Sequence, residues 1–156
     1  MLTIAPLLTL FTALTAALPT SHLTPRAGGP AILPIPSTCT VSNPRSATPA
    51  TFLPSAELQS TALLYSAYYP SPTSNKTQLA EQCLQQCYGY GNHVECKAAF
   101  WAENVVVPPG YYGSPGGQLM TACLMYSRAV TEADFTQAPK GEGTDAYTRN
   151  LACPAS

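Results

Sequence analysis

The stretch AEQCLQQCYGYGNHVECKAAFW, residues 80–101, decides the fold. Leu79, Ala80, Cys83, Leu84 and Cys87 recur at three- and four-residue spacing, which predicts a helix from Thr77 to Tyr88 with one apolar face. Asn75 with Gln78 three residues on marks its start, and Gly89 or Gly91 supplies its stop. Cys83 and Cys87 lie one turn apart with parallel side-chain directions. They are poorly placed to bond each other and well placed to reach into whatever the helix covers. After the turn-rich GYGN, Val94, Cys96, Ala98 and Phe100 alternate with Glu95, Lys97, Ala99 and Trp101, predicting a strand with Cys96 pointing inward.

Working outward, LMTACLMY (119–126) reads as a second strand around Cys123. Between the two lies NVVVPPGYYGSPGGQ (104–118), expected to be a long loop because Pro108, Pro109 and four glycines forbid regular structure over most of it. In LLYSAYY (63–69) the tyrosines suit a strand, although Leu58, Ala62, Tyr65 and Tyr69 also fit helical spacing; a short turn followed by a strand is the expectation. The end, FTQAPKGEGTDAYTRNLAC (135–153), reads as loop leading into one last short extended piece that holds Cys153.

The chain opens on LTIAPLLTLFTALTAAL (2–18), an uncharged apolar run ending in small residues. It predicts a signal peptide over 1–17, cleaved after Ala17, rather than a spanning helix, because the run is barely long enough to span and is broken by Pro6. Residues 18–37 are dense in Pro, Ser, Thr, Ala and Gly and are expected to form a flexible, extended tail. Residues 38–154 form one module. The ending CPAS lacks the hydrophobic tail of a lipid-anchor signal, so the expected product is secreted, with no stable membrane anchor after cleavage. Only 10% of the residues are charged and the net charge is −1, which removes the electrostatic footprint of a nucleic-acid binder.

Six cysteines allow fifteen pairings, and spacing alone does not choose among them. Side-chain direction narrows the field: two helix cysteines on one face meet two cysteines on the strands beneath, which leaves the outermost pair to tie the ends. That scheme is Cys83 with Cys123, Cys87 with Cys96, and Cys39 with Cys153. Zinc is the competing reading, but only Cys83 and Cys87 form a knuckle-like pair, with His93 nearby, and an oxidising compartment favours disulfides.

The helix with its Cys-x3-Cys, a nearby strand cysteine, the later TACLMYSR and a terminal cysteine together resemble the PAN/apple domain, particularly versions in secreted fungal proteins. The resemblance covers about Cys39 to Pro154. It implies an α+β fold, an antiparallel β-sheet with one helix packed across it and three disulfides, two pinning the helix and one joining the termini.

For chemistry, His93 is the one usable imidazole, since His22 falls in the tail. His93 lies beside Glu95 and has Asp134 as a conceivable partner, yet no serine elbow, HExxH or P-loop accompanies it. Glu81, Glu95, Glu103, Glu132 and Asp134 are scattered. The chain is therefore expected not to be an enzyme and to use no cofactor or metal; a secreted hydrolase built on His93 ranks third. Aromatic residues are the better lead. Tyr88, Tyr90, Trp101, Tyr111 and Tyr112 are the candidate ligand-binding residues, because Tyr and Trp present a flat apolar face with a polar tip suited to sugar rings or protein anchors. The expectation is a non-enzymatic extracellular module that recognises carbohydrate or protein. A structural or effector-like protein without a small ligand is the alternative. Asn75-Lys76-Thr77 is the intact N-glycosylation sequon, which would make the product a glycoprotein.

Overall fold

A computed structural model describes residues 29–45 and 51–154. The leader, the first part of the tail and His22 lie outside the described residues. A five-stranded antiparallel sheet dominates, built from β1 (Thr40–Ser42), β3 (Leu63–Tyr69), β4 (Ala98–Val106), β5 (Leu119–Tyr126) and β7 (Thr144–Ala152) in the order β1-β7-β4-β5-β3. A two-stranded ribbon of β2 (Phe52–Pro54) and β6 (Phe135–Gln137) is the second sheet. Two helices complete the fold, α1 (Ala56–Ala62) and α2 (Lys76–Tyr88).

The amphipathic pattern of 77–88 folds as read. Asn75 is the N-cap of α2, its side chain accepting from the Gln78 N–H at 3.1 Å, and Gly89 is the C-cap. Leu79, Ala80, Cys83, Leu84 and Cys87 are all buried against Ala99, Trp101, Cys123, Met125 and Leu151 of the sheet. Three disulfides join Cys83 to Cys123, Cys87 to Cys96, and Cys39 to Cys153, and no described cysteine is free. These are the pairs that side-chain direction favours, and they leave no thiolate for a zinc ion.

Several expectations need correction. The strand predicted from Val94 begins at Ala98, and its alternation does not mark one wet face: Ala98, Ala99, Phe100, Trp101 and Ala102 are all at most 1% exposed. The reason is a second layer. Phe100 and Ala102 face Phe52, Leu58, Val130 and Phe135, while Ala99 and Trp101 face α2, so both sides of this central strand are covered. The second helix, α1, was not expected. Ser55 caps it by accepting from the Leu58 N–H at 3.2 Å, and Leu58 and Ala62 are buried beneath it.

The loop expected over 104–118 starts only after Val106, because β4 passes through a bulge and continues. Asn104 takes a φ of 56° there, and the neighbouring strand answers with Asp145 at 53°, two residue types that tolerate the left-handed region. The last extended piece is not short. β7 runs nine residues between β1 and β4, with its polar groups satisfied: the Thr148 hydroxyl donates to Ala99 O at 3.1 Å, and Asn150 both accepts from Val130 N–H and donates to Val130 O at 2.9 Å. The described part of the tail is laid against α2. Gln86 donates to Pro30 O at 3.4 Å, Ile35 packs on the α2 core cluster, and a Cβ on Gly89 would run into the Ala31 backbone.

Candidate binding surface

The β4–β5 connection carries the most exposed of the candidate aromatics. Val107 closes its neck, donating to Gln118 O and accepting from the Gly117 N–H, both at 2.9 Å. A Cβ on Gly116 would meet the Val107–Pro109 backbone within 2.8 Å, so the strands cannot be bridged this tightly without glycine. At the tip, Tyr111–Gly113 make one 3-10 turn, held by Gly110 N–H to Ser114 O at 2.8 Å and Ser114 N–H to Tyr111 O at 2.9 Å. The Ser114 hydroxyl accepts from Gly116 N–H and from Gln118 Nε2, both at 3.0 Å.

Three rings stack outward from this frame. Tyr68 of β3 meets Tyr111 at 4.8 Å, and Tyr111 meets Tyr112 at 4.7 Å, both edge to face. The Tyr111 hydroxyl accepts from the Tyr68 N–H at 3.1 Å and donates to Ser66 O at 3.5 Å. Burial, and then the neighbouring Tyr111, push the Tyr68 phenol above its usual range. Tyr112 ends the stack at 85% exposure with φ 46° and ψ 38°. A bulky side chain in the left-handed region is strained.

The remaining candidates lie elsewhere. Trp101 is 1% exposed, and its indole N–H donates to the Tyr69 hydroxyl at 3.3 Å; it is core, so the expectation that it meets a ligand is corrected. Tyr88 and Tyr90 are half-buried on the α2 side of the sheet, whereas Tyr68, on which Tyr111 rests, packs with the opposite layer. The four tyrosines do not form one patch. Tyr88 stacks on His93 at 4.6 Å, and His93 Nδ1–H donates to Tyr88 O at 2.8 Å. One nitrogen of that imidazole thus secures the turn after the helix.

Asp134 does not pair with His93. It binds the Arg128 guanidinium and closes a capping box with Thr131. These contacts, the Arg128 hydrogen bond foremost, hold its carboxyl at about 2, below its ordinary 3.8. Glu103 faces Lys76 at 2.8 Å, and Asp145 meets the same ammonium at 2.6 Å, an arrangement that raises the lysine pKa. Of the scattered carboxylates, Glu103 and Asp134 thus serve ion pairs at two separate places.

Two features were missed in the sequence. One is a groove of about 370 Å³ between the tail and α2, lined by Pro34, Ile35, Glu81, Leu84, Gln85 and Tyr147, with Arg149 over the Tyr147 ring at 4.3 Å. No motif signals it, because it exists only once the tail docks. The other is the role of Tyr68, readable only after β3 is placed at the sheet edge. Asn75, in the sequon, is exposed; its Oδ1 serves the helix cap, and glycan attachment at Nδ2 would leave that acceptor in place. The chain matches no protein-family model, no curated protein and no solved structure.

Proposed function

We propose that the chain is a secreted, non-enzymatic binding module of the PAN/apple kind that contacts carbohydrate or a protein partner through the Tyr111–Tyr112 loop. The observation that carries this is Tyr112, a ring 85% exposed yet fixed by the edge-to-face stack on Tyr111 and Tyr68. An aromatic face held rigid before contact loses little conformational entropy on binding, which is what a sugar ring or a protein hot spot requires of its platform. Support for the kinship comes from a helix riveted by two bridges across an antiparallel sheet, with a third bridge near the ends. Support for secretion comes from the same bridges, which persist in oxidising compartments, and from the apolar leader.

Pull-down on insoluble chitin, cellulose and β-glucan, and on immobilised extracellular proteins, tests the reading. Tyr112→Ala is expected to weaken whatever binds by about tenfold or more, the loss of one stacked aromatic contact, while leaving stability unchanged. Binding that is indifferent to Tyr112→Ala sinks the loop as the site. The second reading, a stapled structural or effector-like protein without a small ligand, is favoured by the burial of Trp101 and the half-burial of Tyr88, Tyr90 and Tyr111, since four of the five candidate rings are occupied in packing.

A further inference from the structure

The two ends of the main sheet are unequal. β1, at one edge, has three residues, but β3, at the other, runs for seven as LLYSAYY. Natural edges are usually blunted by charge, proline or shortness, and β3 carries neither a charge nor a proline. A seven-residue window rich in β-forming side chains and without charge is a template for a further strand. Its own irregularity is a register shift between Leu63 and Tyr65, which leaves Ser66–Tyr69 regular.

On that regular part lies the Tyr111 hydroxyl. It accepts from Tyr68 N–H and donates to Ser66 O, so one phenol supplies both the acceptor and the donor that a neighbouring strand would bring. The ring also closes over Tyr68. Held at its neck and by this contact, the loop takes the place of a sixth strand.

We propose that Tyr111 guards the β3 edge, and that the partner it holds off is the β3 strand of a second copy of this chain. Antiparallel pairing of β3 with itself is isologous: across a two-fold axis the Tyr68 N–H of each copy donates to the Ser66 C=O of the other. Because the strand is uncharged, no like charges oppose each other in that pairing. The inference does not depend on what Tyr112 contacts.

Tyr111→Phe tests it in the disulfide-intact protein, because the ring and its stacking remain while the hydroxyl goes. In Tyr111→Phe the Tyr68 amide should exchange with solvent about tenfold faster, the yield of one lost net hydrogen bond, and in Tyr111→Ala, where the covering ring goes as well, sedimentation should show a concentration-dependent dimer absent from the parent. Tyr112→Ala should change neither. An unaltered disulfide map and unaltered Trp101 emission establish that both Tyr111 variants are folded. Unchanged Tyr68 exchange in Tyr111→Phe overturns the guard. Tyr111→Ala that stays monomeric at every concentration overturns the second copy as its partner.

Discussion

Trp101 and Tyr112 show how residue type alone misleads about role. Both are aromatic and both sit near turns in the sequence, but one is sealed between two layers and the other stands 85% in solvent. The difference lies in their neighbours: Trp101 follows Ala98, Ala99 and Phe100 along a strand covered on both faces, and Tyr112 follows Gly110 and Tyr111 in a tip with no buried residue. Asp134 offers a sharper residue-scale test. Its folded pKa of about 2 lies below the ordinary 3.8, so the unfolded chain binds its proton first as pH falls. The stabilisation it brings is therefore complete above about pH 4 and is lost as pH drops toward 2. Asp134→Asn removes the Arg128 pair but keeps an acceptor for Thr131, and should cost about 1 kcal/mol at pH 7, a modest figure because Arg128 is solvent-facing. Denaturant titrations of parent and variant from pH 7 to pH 2 should converge at the acid end. A gap that persists at pH 2 would mean the charge is not what matters.

At the scale of elements, the bridges differ both in access and in loop length. Cys83, Cys87, Cys96 and Cys123 are each at most 1% exposed, while Cys39 and Cys153 lie half-exposed beside the short strand β1. Reductant should therefore open Cys39–Cys153 first, leaving the α2 rivets intact, as alkylation and mass mapping over a dithiothreitol series will record. The chain-entropy picture assigns the larger loss to this bridge, about 5 kcal/mol against about 4 for Cys83–Cys123, because its separation is 114 residues against 40. Simultaneous loss of all three bridges would show instead that reduction needs global unfolding. Element by element, legibility follows periodicity. α2 was readable because its apolar residues keep a helical period and Asn75 caps it. β7 was readable only as a short extended piece before Cys153; its full length was not, since TDAYTRNLA is polar and finds its place by hydrogen bonds to Ala99 and Val130 that no local pattern announces. α1 escaped although Ser55 with Glu57 in the first turn is a start signal, because the helical spacing of Leu58 and Ala62 runs on into the tyrosines of β3 and so does not mark where a helix would end. Of the candidate site, the loop and its tyrosines could be located, but their sharing out between two faces of the sheet could not.

On the scale of the whole molecule, the sheet is a partition between two cores, one under α2 with the disulfides and one under α1 with the β2–β6 ribbon. Among the described residues, what lies over α2 is the segment from Pro30 to Pro36, a proline-rich strap that composition alone assigns to a flexible tail. It stays down because proline lowers the entropy it would gain by leaving, because Ile35 joins the apolar cluster, and because Gly89 lets the Ala31 backbone approach the end of α2. A chain shortened to begin at Ser37 keeps every disulfide and every strand, so the strap's contribution can be isolated. Its partly buried Leu33 and Ile35 amount to roughly 1–2 kcal/mol of apolar burial, and the shortened chain should lose about that much in urea denaturation with little change in slope. Gly89→Ala in the full-length chain should act in the same direction by displacing the strap at Ala31, and it should add nothing once the strap is gone, since the two changes remove one contact. If Gly89→Ala destabilises the shortened chain equally, the glycine serves the helix cap alone and the strap is not held there.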